Sequence, residues 1–285
     1  MLEFKPITID ARDQMLRYMS PLTLGTTEST FTDLFLWAEH YKNEFCVKDG
    51  FLFIRSGDKF LTPYGEGDLK AAIDLLPYDA TFICVSEGNV RKITEIYPNR
   101  FEIREMRDSF DYIYRSEDMI LLQGKKLHPK RTNVNKFTKN YEYEFVEISS
   151  ENLDEVRSFQ AFWFEKNVND ENRESLEGEN RAIERAFSNF DALNLKCGAI
   201  KIEGKIAAYS YGVPINDKVF LICVEKADTA YSGIYQVINR DFAARFCKDF
   251  EFINREEDLG DEGLRRAKLS YNPAYLARKF MLVSR

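Results

Sequence analysis

The sequence predicts a mixed α/β protein of the α+β class, organised as two halves. Three observations predict it. The chain has 285 residues, about twice the roughly 150 residues of a common domain. Its apolar residues alternate repeatedly between the spacing of a strand and that of a helix. With 44% hydrophobic and 31% charged residues it can fill a core and stay solvated, which excludes disordered and fibrous classes. The expected boundaries are a first domain at 1–117, a basic connecting segment at 118–141 and a second domain at 142–285.

In the first half, Phe45–Val47 and Phe51–Ile54 flank Lys48-Asp49-Gly50, the short-range signature of a hairpin. Asp68–Leu76 carries Leu69, Ala72, Ile73 and Leu76 at helical spacing and stops at Pro77. A strand at Thr81–Val85 follows, then a helix at Gly88–Tyr97, then extended stretches at Phe101–Met106 and Phe110–Tyr114. The second half opens with a strand at Tyr143–Ile148. A helix from Asn152 to Lys166 has Leu153, Val156, Phe159, Phe162 and Trp163 on one face, so that Phe162, Trp163 and Phe164 read as core. A second helix covers Ile183, Ala186, Phe187 and Phe190.

Three strands then form a meander: Cys197–Ile202 turns through Glu203-Gly204-Lys205 into Ile206–Val213, and Asn216-Asp217 leads into Lys218–Val224. Helical spacing returns from Ile234, followed by a strand at Phe250–Ile253 and a helix at Glu262–Leu269 before Asn272-Pro273. A meander that delivers its last strand into a helix start is the layout of GCN5-related acyltransferases. There, exposed backbone amides at the helix start hold the donor's phosphates, an analogy of fold alone.

Several functional classes are excluded. The longest apolar runs, such as Val219–Val224, are far below the ~20 residues of a membrane span, and Met1–Asp10 lacks the pattern of a signal peptide, so no transmembrane segment and a cytoplasmic location are expected. Cys46, Cys84, Cys197, Cys223 and Cys247 are odd in number and scattered, which predicts reduced core thiols. With two histidines and no Cys-x-x-Cys, no metal and no resident cofactor are expected. The formal charge of −7 argues against general coating of nucleic acid but permits a local basic patch.

Such a patch exists. No acid stands between Asp118 and Glu142, whereas Lys125, Lys126, Lys130, Arg131, Lys136 and Lys139 supply six cations, with His128, Asn133 and Asn135 among them. This composition suits a phosphate-bearing ligand: a tRNA end, coenzyme A or an anionic lipid headgroup. A solvated linker face is the structural alternative. A second block, Asn254-Arg255-Glu256-Glu257-Asp258, follows the predicted strand. Crowded carboxylates oppose one another's ionisation and suit a base, although acids also favour a helix start. Ser232 and Gly233 precede a helix and offer a cap and free amides for a phosphate, with Asp228 nearby opposing an anion. Lys268, Ser270, Tyr271 and Asn272 gather at a helix end, where they can hold a carboxyl or phosphate group or cap the last carbonyls.

Asp111–Tyr114, Gly124–Phe137, Asn254–Gly260, Gly263–Lys268 and Leu269–Pro273 together resemble an uncharacterised bacterial family grouped with the C-terminal catalytic domain of phosphatidylglycerol lysyltransferase. The resemblance covers nearly the whole chain. It implies two tandem acyl-CoA N-acyltransferase-like (GNAT-like) domains, a fold shared with peptidyltransferases that work from aminoacyl-tRNA on cell-wall precursors. It further implies transfer of an acyl or aminoacyl group from an activated donor, aminoacyl-tRNA or acyl-CoA as co-substrate, to an amine or hydroxyl acceptor. Glu256, Glu257 and Asp258 are then the candidates to deprotonate the acceptor. Lys125, Lys126, His128, Lys130, Arg131, Asn133, Asn135, Lys136, Ser232, Gly233, Asn254, Arg255, Lys268, Ser270, Tyr271 and Asn272 are the candidates for the donor. No counterpart of the large membrane-embedded segment that precedes the lysyltransferase domain is expected. A non-catalytic protein that binds RNA or an anionic ligand on the same fold is the competing expectation.

Overall fold

The computed structural model describes residues 2–19 and 25–285. Its contacts divide the chain into two units, both discontinuous in sequence. Unit 1 comprises Met1–Asp111, Glu256–Glu262 and Leu276–Arg285; unit 2 comprises Tyr112–Arg255 and Gly263–Tyr275. The 118–141 segment, expected as a connection, lies inside unit 2.

Unit 1 contains helices α1 (Arg12–Met19), α2 (Phe31–Leu36), α3 (Ala38–Tyr41), α4 (Leu69–Asp74) and α5 (Glu87–Ile96). Its strands are β1 (Lys5–Pro6), β2 (Asn43–Lys48), β3 (Phe51–Ser56), β4 (Lys59–Phe60), β5 (Tyr64–Gly65), β6 (Phe82–Ser86) and β7 (Phe101–Glu105). The expected hairpin forms β2 and β3: Lys48 pairs with Phe51, and Asp49 and Gly50 adopt φ of 50° and 80°, the two left-handed residues of a tight hairpin loop. Side-chain caps fix the helix starts. Thr30 Oγ1 accepts from Asp33 N at 3.1 Å, Asp68 Oδ1 from Lys70 N at 2.9 Å and Ser86 Oγ from Asn89 N at 3.3 Å. The core gathers Phe53, Phe60, Ile73, Phe82, Ile93 and Phe101 with Leu282, each such side chain contributing about 1.5–3 kcal/mol by leaving water.

Unit 2 contains α6 (Ser116–Leu121), α7 (His128–Asn140), α8 (Leu153–Asn167), α9 (Arg173–Ser188), α10 (Ile234–Phe242) and α11 (Glu262–Leu269), whose first residue belongs to unit 1. Its sheet has strands β8 (Asp111–Arg115), β9 (Tyr143–Ile148), β10 (Lys196–Ile202), β11 (Lys205–Pro214), β12 (Val219–Ala227), β13 (Phe252–Asn254) and β14 (Tyr275–Ala277), with Asp111, Leu276 and Ala277 belonging to unit 1, in the order β14-β8-β13-β12-β11-β10-β9. The predicted meander is present. Glu203 and Gly204 turn at φ 50° and 74°, and Asn216 Oδ1 accepts from Lys218 N and Val219 N at 2.8 and 2.9 Å, the side-chain turn that asparagine favours. The β11–β12 register shifts at Gly212, where a Cβ would lie 2.0 Å from Leu221 O. From β12 the chain crosses through α10 to β13, which pairs in parallel with β12.

A last strand, β15 (Lys279–Ser284), returns to the unit 1 sheet, between β6 and β7, in the order β1-β2-β3-β4-β6-β15-β7 with β5 on β3. The two halves of the sequence therefore exchange strands: β8 from the first enters the second sheet, and β15 from the second enters the first. A further departure concerns α8. Phe162 is 49% exposed rather than core, and the Trp163 ring lies 4.0 Å beneath Lys226 Nζ, an ammonium also held by Glu179 at 2.6 Å. All five cysteines are free thiols; Cys46, Cys197 and Cys247 are buried, Cys84 and Cys223 half-buried.

Candidate functional site

In unit 2 the basic segment forms α7, with Pro129 in the first turn, where a missing N–H breaks no helical bond. Val134 and Phe137 are its buried positions. Lys125, Lys126, His128, Asn133, Asn135 and Lys136 are exposed. Arg131 is turned inward: Nη1 donates to Leu122 O at 2.6 Å, and Nη2 lies 3.2 Å from His128 Nδ1. Lys126 Nζ donates to Asn272 Oδ1 at 2.8 Å. Lys130 is half-buried, its Nζ 4.2 Å from the centre of the Tyr271 ring.

Tyr271 joins this helix to the end of β13. Asn254 is fully buried and pairs with Ile113 and Leu221. Beyond it, the Arg255 guanidinium lies 5.0 Å from the Tyr271 ring and 5.6 Å from Tyr114. Its Nε and Nη2 donate to Glu225 Oε2 at 3.0 and 2.5 Å, and Asn239 Nδ2 donates to Glu225 Oε1 at 2.9 Å. Arg255 Nη1 is buried with no hydrogen-bond partner. Lys268 Nζ donates to Arg255 O at 2.6 Å, and Tyr114 Oη donates to Lys268 O at 2.8 Å. Ser270 Oγ donates to Ala267 O at 2.5 Å, and the amides of Ser270, Tyr271 and Asn272 close the end of α11, Asn272 in a left-handed conformation at φ 54°.

The charges of this cluster do not balance. Glu225 and the electron-rich rings hold Arg255 firmly protonated, outweighing its burial. Among the described residues Lys130 has no carboxylate partner, and burial together with Arg255 pushes its pKa below the ordinary lysine value. Burial raises both Tyr114 and Tyr271, so both rings remain neutral phenols. Lys130, Arg255 and Glu225 leave one positive charge in excess beside an unused N–H donor, an arrangement suited to an anion.

The loop before α10 behaves differently from expectation. Ser232 is not the cap; Gly233 is, at φ 94°, with no side-chain cap bond. A Cβ at Gly233 would lie 2.8 Å from Asn133 O. This glycine permits the close approach of a backbone carbonyl of α7. The charge of Asp228 is answered by Lys166 Nζ at 2.5 Å, and that bond and the Ala230 amide hold its carboxyl below the usual range against the effect of burial.

The acidic block belongs to unit 1. Glu256, Leu259 and Gly260 adopt φ of 57°, 50° and 82°, giving a tight loop. Asp258 is fully buried; its Oδ2 pairs with Arg107 Nη1 at 3.2 Å and its Oδ1 accepts from Gly260 N at 2.9 Å. Both oxygens are engaged, so Asp258 holds the loop. Glu257 contributes to the field that, after burial and Glu28, raises Asp33 well above the ordinary carboxylate range. Lys279, fully buried, donates from Nζ to Glu28 Oε1 at 2.5 Å and to Asp111 Oδ1 at 2.7 Å, while Thr27 N donates to Asp111 Oδ2 at 2.9 Å. Among the described residues no group of three or more His, Cys, Asp or Glu is placed to hold a metal ion, and no helix is long and apolar enough to cross a membrane.

The structure thus brings Lys130, Arg255, Lys268 and Tyr271 together in unit 2 and leaves Lys125, Asn135 and Lys136 on the surface. Sequence reasoning missed Glu225, Tyr114 and Asn239. The available signals were a Glu-Lys pair ending an apolar strand and an asparagine beside Val237 and Ile238 on the apolar stripe of α10.

Comparison with known proteins bears on the fold and the family. A crystallised conserved protein of unknown function from Bacteroides thetaiotaomicron matches with 36% identity and a TM-score of 0.93, covering 100% of both chains. An uncharacterised protein of Mycoplasmoides gallisepticum is 24% identical over 177 residues, 61% of this chain and 56% of that protein, so the match spans little more than half of that relative's length. L-PGS from Bacillus licheniformis shares the fold at a TM-score of 0.61 and 16% identity, over 95% of this chain and 91% of that one. FemX shares it at 0.54 and 11%, over 98% and 97%. The fold is accordingly GNAT-like, with mixed helices and two sheets. Residues 20–283 match the family described as phosphatidylglycerol lysyltransferase, C-terminal, and the chain belongs to that family.

Proposed function

We propose that the protein is an acyl or aminoacyl transferase whose unit 2 cluster receives the anionic handle of an activated donor. The supporting observation is Lys130, a cation without a carboxylate, beside Arg255, whose Nη1 has no acceptor. Family membership supports the same class of reaction. In the transfer, an amine or hydroxyl of the acceptor attacks the donor carbonyl. A C–N or C–O bond forms, the ester bond to tRNA or the thioester bond to coenzyme A breaks with its electron pair on the departing oxygen or sulfur, and the acceptor's proton passes by way of a carboxylate to that leaving atom. Orientation of an activated donor supplies most of the rate.

The test uses the full chain with tRNA charged with a labelled amino acid and, separately, with labelled acetyl-coenzyme A. Lys130→Ala is expected to weaken donor binding about tenfold and to lower the salt slope by about 1; unchanged affinity for both donors overturns the donor site. Glu257→Gln that binds donor but no longer transfers it supports a catalytic carboxylate. Binding of donor without turnover by the unaltered protein overturns the enzyme in favour of a non-catalytic binder.

A further inference from the structure

Unit 1 holds a cavity of ≈ 250 Å³ whose lining includes none of the unit 2 cluster. Its polar wall carries two buried oxygens that lack a hydrogen-bond partner, Glu28 Oε2 and Thr62 Oγ1. The apolar wall includes Phe51, Leu61 and Leu69, and the lining ends at Lys92 on α5. Lys92 is exposed, with no ion-pair partner among the described residues.

The charge inventory around the polar wall is lopsided. Glu28 and Asp111 share the single ammonium of Lys279, and Asp33 and Glu257 lie close enough to act on the same groups. Burial raises the carboxyl of Glu28 despite Lys279, as expected where negative charge is in excess. Cys84 also lines the space, at φ 52° inside β6. Burial and Glu28 keep its thiol protonated, so the cavity presents S–H and not a thiolate nucleophile.

From this geometry we infer that the cavity binds a small amino-acid-like zwitterion, its ammonium on Glu28 Oε2 and Thr62 Oγ1, its aliphatic body against Phe51, Leu61 and Leu69, and its anionic end toward Lys92. A primary ammonium has the three donors to satisfy both oxygens and the charge to offset the surplus carboxylate. A neutral ligand would do only the first, and an anion could satisfy Thr62 Oγ1 alone while adding to the negative charge. The binding does not depend on whether unit 2 accepts an activated donor, because affinity alone is measured.

The test is calorimetric titration of the full chain with 5-aminopentanoate, 1-aminobutane and pentanoate. The zwitterion is expected to bind tightest, 1-aminobutane about tenfold more weakly and pentanoate not at all. Lys92→Ala should bring 5-aminopentanoate down to the affinity of 1-aminobutane and leave the latter unchanged. Glu28→Gln should weaken both amines more than about tenfold and Thr62→Val about threefold to tenfold; Thr62 has no ion pair to lose, so it reports even if Glu28→Gln is poorly folded. The inference is overturned if pentanoate binds as tightly as the zwitterion, if Thr62→Val leaves both amines unaffected, or if no probe binds below about 50 mM.

Discussion

Replacing Glu225 by Gln isolates the energetics of the unit 2 cluster. The Glu225 and Arg255 side chains are only 11% and 14% exposed, and the guanidinium makes two bonds to one carboxylate oxygen. Glutamine keeps the shape and an acceptor but removes the charge, leaving Arg255 buried beside Lys130 with nothing to neutralise either. Breaking a buried pair from one side costs about 3 kcal/mol or more, which for a unit of this size corresponds to a Tm lowered by roughly 6–12 °C. Thermal denaturation followed by circular dichroism measures it. Arg255→Met should also destabilise, because Glu225 then stays buried with only Asn239. The double variant, with an apolar side chain and a neutral amide, should recover much of the loss and give a coupling energy above about 1.5 kcal/mol. A Tm for Glu225→Gln within about 2 °C of the unaltered protein, or a double variant as unstable as the sum of the singles, refutes the idea that Glu225 is the charge partner on which Arg255 depends.

Three further outcomes follow from the same coordinates. Lys130→Met should leave Tm unchanged or raise it, since it removes a half-buried cation with no carboxylate while weakening donor binding; a fall of more than about 1 kcal/mol in a urea titration contradicts this. Asp33→Asn tests the acidic network of unit 1. Because the folded-state carboxyl is raised above its ordinary value of 3.8, its contribution to stability is present below that value and lost as pH rises through the raised value. The variant should therefore gain on the unaltered protein as pH rises above about 4, and parallel stability profiles would count against it. Gly233→Ala should destabilise by at least about 1 kcal/mol, because φ is 94° and the new Cβ would meet Asn133 O at 2.8 Å; an unchanged urea midpoint would show that α7 gives way freely.

Features set by neighbouring residues were legible in the sequence. The turns at Asp49-Gly50 and Glu203-Gly204, the three-strand meander and the α8, α10 and α11 helices all follow from local turn chemistry and apolar spacing. Features set by distant pairing were not. Nothing near Tyr112 or Phe280 announces that each strand pairs in the other half's sheet, because apolar alternation gives a strand's faces and not its partner. The same applies to charge. Lys130, Arg255 and Tyr271 could be named as polar residues beside element ends, whereas Glu225, 30 positions from Arg255, and Lys279, 251 positions from Glu28, become partners only once the sheets form. Phe162 misled because helical spacing identifies a stripe, and on α8 that stripe extends past the buried edge to the solvent.

The exchange of β8 and β15 bears on how the chain is made. A ribosome releases the amino-terminal half first, yet β6, which has β4 on its other side, and β7 lack the strand that links them until residues 279–284 emerge. During synthesis those two strand edges wait, open to mispairing with other nascent chains, and the earliest-made part of the polypeptide is among the last to close.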